Sequence, residues 1–176
     1  MRCPAASMVV VSTSSGVIAM RALAVFLLLS TAAAALAGES DPGVRTRNFQ
    51  IERGVALDGY DPVSYFRGAP AKGAAARLLT HLGVVYHFSS DENREAFAAD
   101  PARYEPAYGG WCAWAMIDGE KVEPDPKTFK IVDGRLLLFY NGLLGDTLAK
   151  WNARAAKESD ARLLALADAQ WASVAK

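Results

Sequence analysis

The sequence lacks a hydrophobic run long enough to cross a membrane. Its main apolar stretch near the N-terminus, Ala22–Leu29, is well short of the roughly 20 residues that a membrane helix requires. Arg21 precedes this stretch, and Ala35–Ala37 has the small first and third residues of a cleavage site. These features are typical of a secretory signal peptide. We therefore predict a signal peptide over residues 1–37, with Met20 as an alternative start codon, and a periplasmic or secreted mature chain without a transmembrane segment.

Cysteine and histidine are scarce, with two of each in the whole chain. Cys3 falls in the predicted signal peptide, so Cys112 is the only cysteine expected in the mature protein. A single cysteine excludes an intrachain disulfide. In an oxidising compartment such a thiol is buried, paired between chains or bound to a ligand. His81 and His87 are the only candidates for an imidazole ligand.

An excess of basic residues is also lacking. The whole chain has 19 Lys and Arg and 19 Asp and Glu. Removal of Arg2 and Arg21 with the signal peptide leaves 17 basic residues (19 less 2) against 19 acidic ones, a net charge of −2. This balance excludes a broad basic surface and argues against nucleic acid as a partner.

The mature chain is long enough for one folded domain. It has 139 residues, which is 176 less 37, and a chain of this length can bury a substantial core. Residues 38–50 are polar and include Pro42 and Gly43. We therefore predict a flexible leader over residues 38–50 and a single domain over residues 51–176.

Two β-hairpins are predicted from turn signals between short apolar runs. Leu82-Gly83 joins two short strands, of which the second, Val84–Phe88, alternates its apolar residues onto one face. Asp133-Gly134 joins Thr128–Val132 to Arg135–Tyr140, and Asp-Gly at this position favours a type I′ turn.

Capping residues predict where the helices begin. Asp61-Pro62 places an N-cap before a proline at the first helical position. In Ser89–Glu92 the serine and the glutamate form a capping box for a helix that ends before Pro101, and Asp146 and Ser159 can cap two C-terminal helices. Strands and helices are separated along the chain. We therefore predict an α+β fold, a small single domain with antiparallel β-hairpins packed against short helices and two C-terminal helices.

Three stretches resemble a known family. They are GYDPVSYF from Gly59, YHFSSDENREAFAADPARYEPAYGGWCAWAM from Tyr86, and KIVDGRLLLFYN from Lys130. The chain resembles the exported YHS-domain proteins of bacteria in these stretches, and the likeness runs from about Val55 to Trp171. The resemblance implies a compact α+β domain and makes His87 the histidine of the family motif.

The chain departs from a related YHS branch that is attached to heavy-metal ATPases. That branch has cysteines after its Asp-Pro and beside its aromatic-Phe strand, and these are natural ligands for soft metals. This sequence has Ser64 at the first position and Ser89 and Ser90 at the second. The departure removes the cysteine cluster, so metal carriage by that route is not expected.

Candidate metal ligands lie in the segment around Cys112. Cys112 and Met116 face the same way whether this segment is a strand or a helix. A thiolate, a thioether and the imidazole of His87 are a donor set suited to Cu(I). We therefore name Cys112, Met116 and His87 as candidate metal ligands, with copper as the metal.

Aromatic residues around the same cysteine are candidates for a ligand pocket. Tyr108, Trp111 and Trp114 surround Cys112 in the stretch YGGWCAWAM. We name these four residues as candidate ligand-binding residues, although aromatic side chains in such a pattern also pack hydrophobic cores. Gly109-Gly110 within the stretch predicts a backbone turn at positive φ.

Three functions remain open from the sequence. The leading hypothesis is an exported, non-enzymatic YHS-domain binding module that holds a soft metal or a small ligand near Cys112. The alternative is an envelope interaction or structural protein, in which Cys112 is an inert core residue and a homodimer is one form. The third is a thiol-dependent enzyme with Cys112 as the nucleophile and His87 as the base. The sequence does not indicate a third group that would orient the histidine, or an oxyanion hole. We therefore predict no enzymatic activity.

One pair of acidic residues has two interpretations. Asp58 and Asp61 flank Gly59-Tyr60 and could bind a hard cation. Asp61 is better explained as the cap of the helix that follows it.

Overall fold

The computed structural model describes residues 42–175, and the predicted signal peptide lies outside them. These residues form seven α-helices and four antiparallel strand pairs, which confirms the predicted α+β class and the two C-terminal helices. The helices are α1 (Pro42–Asn48), α2 (Pro62–Tyr65), α3 (Asp91–Ala99), α4 (Pro101–Tyr104), α5 (Ala113–Met116), α6 (Thr147–Glu158) and α7 (Asp160–Val174). The strands are β1 (Ile51–Glu52), β2 (Val55–Ala56), β3 (Ala74–His81), β4 (Val84–Phe88), β5 (Asp125–Val132), β6 (Arg135–Phe139), β7 (Asn141–Gly142) and β8 (Gly145–Asp146). No helix in this part of the chain is long and apolar enough to span a membrane.

The two long hairpins have the predicted two-residue turns. Leu82 and Gly83 lie at φ 45° and 85°, and Asp133 and Gly134 lie at φ 49° and 76°. Positive φ at both positions is what a type I′ turn requires, and it matches the right-handed twist of the flanking strands. β5 begins at Asp125, three residues before the predicted start, because the strand continues through a bulge.

Two hydrophobic cores lie on either side of strand β6. Leu136 and Leu138 belong to the first core, together with residues of β4, α2 and α3. Leu137 and Phe139 belong to the second core, together with residues of α5, α6 and α7. Successive side chains of a strand point to opposite faces, so one apolar run can serve both cores.

Side chains cap the helices where the sequence predicts, with one shift in position. Asp146 accepts a hydrogen bond from the backbone N–H of Ala149 at 3.0 Å, and Ser159 caps α7 in the same way. The predicted cap Ser89 is wrong by one residue, because Ser90 accepts from Asn93 N at 3.2 Å and is the N-cap of α3. The backbone N–H and hydroxyl of Ser89 both donate to Asp61 instead.

The described part of the predicted flexible leader contains a helix that contacts the rest of the domain. Residues Pro42–Asn48 form α1, and Asn48 is buried. Trp111 Nε1 donates to the carbonyl oxygen of Asn48 at 2.7 Å, and Arg45 forms an ion pair with Glu105. These long-range contacts hold a segment whose own sequence is too polar to predict a packed helix.

Candidate functional site

Cys112 lies at the junction of α5 with β6. It is the N-cap residue of α5, and its side chain is fully buried, with an exposed fraction of 0%. Its backbone N–H donates to the carbonyl oxygen of Val122 at 2.9 Å. It also forms a parallel bridge with Leu138 of β6. The cysteine is therefore fixed between the Val122 segment and the strand that both cores share.

The thiol of Cys112 has hydrogen-bond partners on both sides. The backbone N–H of Tyr140 donates to Sγ at 3.3 Å, and Thr147 Oγ1 lies 3.4 Å from Sγ. The hydroxyl of Thr147 donates its single hydrogen to the carbonyl oxygen of Tyr140 at 2.8 Å. With that hydrogen engaged, the hydroxyl oxygen can only accept, so the thiol is the donor in its contact with Thr147. The thiol is therefore a hydrogen-bonded part of the core.

The structure keeps the two sulfur residues together but places His87 in another part of the molecule. Met116 N donates to Cys112 O at 3.0 Å, and the fully buried Met116 side chain belongs to the second core. His87 lies half-buried on the outer face of β4, where it faces Gly59. Within residues 42–175, no group of three or more His, Cys, Asp and Glu residues is arranged to hold a metal.

Two of the three aromatic candidates join other elements through their polar atoms, and the third packs against the second core. Tyr108 OH donates to Asp168 Oδ1 of α7 at 3.0 Å, and burial raises the pKa of Tyr108. Trp111 donates to α1, as described above, and Trp114 packs against the second core. These contacts give each residue a structural role.

An ion pair between β6 and α7 fastens the second core at its edge. Arg135 donates through Nη1 and Nη2 to the two carboxylate oxygens of Asp168, at 2.9 and 2.8 Å, and its guanidinium lies over the Tyr108 ring. Burial alone would raise the pKa of Asp168, but the hydrogen bonds from Arg135 and Tyr108 outweigh it and lower that pKa. A bidentate pair of this kind also fixes orientation.

The glycine pair beside Cys112 allows a close approach of two chain segments. Gly109 and Gly110 lie at φ 59° and 89°, as predicted. A Cβ atom on Gly109 would lie 2.7 Å from the carbonyl oxygen of Asn48, so only glycine fits. The carbonyl oxygen of Gly109 accepts from the backbone N–H of Gln50 at 2.8 Å. The pair therefore positions Gln50.

Asp61 is a buried cap and crosslink rather than a free cation ligand. Its Oδ1 accepts from Val63 N at 2.9 Å. Its Oδ2 accepts from the backbone N–H and hydroxyl of Ser89, at 2.9 and 2.6 Å, and from Asn93 Nδ2 at 2.6 Å. Ser64 Oγ donates to the backbone carbonyl of Asp61 at 2.6 Å. Ser64 and Ser89 thus both donate hydrogen bonds to Asp61, Ser64 to its backbone carbonyl and Ser89 to its carboxylate.

A small cavity opens between the 3₁₀ turn Leu57–Gly59 and the start of β5. Its volume is about 70 Å³. We call it the Gln50 cavity, and its lining consists of three carboxylates, one amide and four apolar residues: Gln50, Glu52, Leu57, Asp58, Glu123, Pro124, Pro126 and Leu138. No basic residue is among these lining residues.

Gln50 is the unusual residue of this cavity. It is only 9% exposed, and its side-chain amide has no hydrogen-bond partner within the described part of the chain. The buried side-chain polar atoms that lack both a partner and contact with solvent are Arg45 Nε and Asn93 Oδ1, among residues 42–175. The Gln50 amide is not one of them, so it retains contact with solvent. Because Gln50 lines the cavity, we place this contact there.

Cys112 lies directly behind one wall of the Gln50 cavity. Leu138 lines the cavity and forms the bridge with Cys112. Glu123 also lines it and follows Val122, whose carbonyl oxygen accepts from the Cys112 N–H. The thiol itself does not line the cavity.

Most of the cavity residues were not found by sequence reasoning. None of the four predicted ligand-binding residues lines the cavity. Of the lining residues only Asp58 was singled out, as a hard-cation candidate. Glu52, Glu123 and Gln50 lie in short polar stretches with no motif. The two prolines of Pro124-Asp125-Pro126 are the one local pattern that indicates irregular backbone beside the cavity.

No family model, curated protein or solved structure matches this chain. The function proposed for it therefore depends on the residues and contacts described above.

Proposed function

We propose that this chain is an exported, non-enzymatic binding module of the YHS type, which holds a small ligand in the Gln50 cavity, in front of Cys112. Export depends on the predicted signal peptide, and the YHS assignment depends on the resemblance of the three sequence stretches. The observation that carries the binding function is the unpartnered amide of Gln50 at a cavity.

A nearly buried amide without a protein partner is uncommon in a native fold, because native proteins pair the large majority of their buried polar groups with protein atoms or ordered water. The Gln50 amide keeps contact with solvent at the cavity, so it is open to a partner that enters there. A ligand with hydrogen-bonding atoms would supply the missing partner.

The backbone beside the cavity supports the same proposal. Leu57 and Asp58 have φ values of 58° and 50°, although neither is glycine, and Gly59 follows at 73°. A left-handed conformation at a non-glycine residue costs on the order of 1–3 kcal/mol and is found disproportionately at binding sites. Both strained residues line the Gln50 cavity.

The geometry favours a small ligand over copper. The thiol of Cys112 already has a donor and an acceptor partner, and its side chain is fully buried. Met116 packs in the second core, whereas His87 lies on a strand of the first. The three residues therefore do not form a donor set around one space, and we derive no function from a metal.

The same burial argues against a thiol enzyme. A nucleophilic cysteine needs solvent access and a group that stabilises the thiolate. Cys112 has no exposed surface, and its sulfur already has hydrogen-bond partners on both sides. A non-enzymatic function therefore agrees with the complete burial of Cys112.

Protein purified from the periplasm tests the proposal. Native mass spectrometry of the full chain should show a retained small molecule, or a fragment library should contain one that binds in solution. Gln50→Leu should lose this binding, whereas Gln170→Leu, at an exposed glutamine of α7, should keep it. Elemental analysis should show no stoichiometric metal.

Two outcomes would contradict the proposal. One equivalent of copper that is lost in Cys112→Ser would favour a metal carrier. Absence of any retained or bound small molecule, in a protein that is folded, would leave the cavity without a binding function.

A second candidate function is an interaction protein, which one observation favours. Leu143 and Leu144, at the turn between β7 and β8, have exposed fractions of 104% and 83%. The two leucines form a small exposed apolar patch, and larger patches of this kind mark contacts with other molecules. If a second copy of the chain is that partner, sedimentation velocity should show a concentration-dependent dimer that Leu143→Ser with Leu144→Ser abolishes. A monomer at all concentrations would exclude the homodimer.

A further inference from the structure

The polar lining of the Gln50 cavity has one sign of charge and offers mainly hydrogen-bond acceptors, beside the donor NH₂ group of Gln50. Glu52, Asp58 and Glu123 contribute carboxylates, and Gln50 contributes an amide oxygen. A primary ammonium has three donors and no acceptor, so it complements such a lining. We infer that the Gln50 cavity binds the ammonium end group of a small primary amine. This inference rests on the proposed function and specifies its ligand class.

The three carboxylates differ in how far the protein itself compensates them. Asp58 Oδ2 is 2.7 Å from Lys72 Nζ, and Glu52 Oε1 is 3.2 Å from Arg53 Nη2. Both are solvent-exposed pairs, and such pairs contribute at most about 1 kcal/mol, so a ligand can share or exchange them. Glu123 has no ion-pair or hydrogen-bond partner within residues 42–175. It therefore supplies the uncompensated negative charge at the cavity.

The loop at the cavity already binds one ammonium group of the chain itself. Lys72 Nζ donates to both the backbone carbonyl and the carboxylate of Asp58. The same Nζ lies 4.4 Å from the centre of the Tyr60 ring, which is a cation–π distance. The left-handed backbone at Asp58 thus presents its oxygens in a way that suits an ammonium group.

The size and the walls of the cavity limit the rest of the ligand. A volume of about 70 Å³ holds an end group of only a few non-hydrogen atoms. Leu57, Leu138, Pro124 and Pro126 supply apolar walls for a short alkyl stem. An inorganic cation does not fit as well, because the carboxylates do not form a group of three that could share one metal ion.

Titration with three short-chain probes of different charge tests the inference. We would follow ¹H–¹⁵N spectra of the full mature chain during titration with propylammonium, 1-butanol or butyrate. Propylammonium should give saturable shifts at the backbone amides of Glu52, Asp58 and Glu123 and at the Gln50 side chain. Its affinity should exceed that of 1-butanol about tenfold and should fall as NaCl is added.

Matched variants localise the effect. Glu123→Gln should weaken propylammonium binding by about threefold to tenfold, since it removes the uncompensated charge and keeps the shape. Glu120→Gln is the control, because Glu120 is exposed in the same segment and does not line the cavity. It should leave the affinity unchanged.

Each other outcome overturns the inference in a recognisable way. Equal or tighter binding of 1-butanol or butyrate at the same residues would overturn the cation class and leave the proposed binding function standing. Saturation of these residues by CaCl₂ at lower concentration than by propylammonium would assign an inorganic cation instead. If none of the probes binds, the ammonium inference is wrong, and the proposed function fails with it only if the fragment library also yields no ligand.

Discussion

The two long hairpins of this protein have the same construction and different surroundings. In each, an eight-residue strand is joined by a two-residue turn to a five-residue strand, and a bulge shifts the register near the open end. β4 alternates buried and half-buried residues, whereas every residue of β6 after Arg135 is buried. At the positions where β4 has the half-buried Val85 and His87, β6 has the buried Leu136 and Leu138, which pack in the first core.

The comparison shows that packing on both faces distinguishes β6 from β4. β4 has the first core on one side only, whereas β6 has the first core on one side and α5, α6 and α7 on the other. Cys112 and the Gln50 cavity both contact β6 through Leu138. The candidate site is therefore built on the strand that the two cores share.

The largest expected loss of stability comes from truncating a side chain of β6 rather than the equivalent side chain of β4. Leu136→Ala should lower the free energy of unfolding by about 2–5 kcal/mol, because it leaves a cavity at a fully buried site. Val85→Ala, at the equivalent position of the half-buried face of β4, should cost about 1 kcal/mol. Urea denaturation of both variants measures the two values. Equal losses would mean that the hairpins are not differently packed.

The second effect compares a glycine of a hairpin turn with a glycine at the site. Gly134→Ala should cost about 1–2 kcal/mol, because its positive φ is strained for alanine but the space around it is open. Gly109→Ala should cost about 3 kcal/mol, because the added Cβ also collides with the Asn48 carbonyl. Melting temperatures should fall in the same order, and Gly134→Val should also lower the melting temperature. A wild-type melting temperature in Gly134→Val would contradict the type I′ turn.

The third effect separates two residues that the sequence grouped as copper ligands. Cys112→Ala should cost about 1–3 kcal/mol, because it leaves the Tyr140 N–H without its partner and opens a small void. His87→Ala, on the half-buried face of β4, should cost less than about 1 kcal/mol. Neither variant should change Cu(I) binding, measured by competition with a chromogenic chelator. Loss of Cu(I) binding in both variants would restore the copper hypothesis.

The smallest expected effect concerns the ion pair between Arg135 of β6 and Asp168 of α7. Within residues 42–175, β4 has no ion pair of this kind. The pKa of Asp168 is lowered in the folded protein, so the carboxylate stabilises the fold above its ordinary value of 3.8. That contribution is lost as the pH falls below 3.8 and through the lower native pKa. Asp168 is half-exposed, so solvent screening limits it to at most about 1 kcal/mol. Asp168→Asn should flatten the loss of melting temperature below pH 4, whereas an unchanged acid profile would show that the pair does not contribute.

Local rules were enough to predict much of the fold. Asp133-Gly134, Asp61-Pro62, Asp146 and Ser159 each act through neighbours within three residues, and the structure confirms all four predictions. The predicted cap Ser89 was wrong by one residue, because Ser90 is the N-cap and Ser89 instead donates both its hydrogen bonds to the distant Asp61. Local chemistry can be read from a sequence, but competition from a distant partner cannot.

The candidate site was much less predictable for the same reason. Gln50 and Glu123 are 73 positions apart and have no motif in common. They meet because Gly109 holds the Gln50 segment and Cys112 holds the Glu123 segment. The stretch YGGWCAWAM, which contains the candidate ligand-binding residues, contacts the segments of Gln50 and Glu123 but does not line the cavity.

The free energy of unfolding of Gln50→Leu without ligand tests the central claim most directly. If the Gln50 amide is kept for a ligand, it contributes nothing to the empty fold, and leucine should leave the stability unchanged or raise it by up to about 2 kcal/mol. Urea denaturation beside the wild type and Gln170→Leu measures the difference. A loss of more than about 1 kcal/mol in the free energy of unfolding would show that the amide supports the fold itself. It would contradict the assignment of the Gln50 cavity as a binding site.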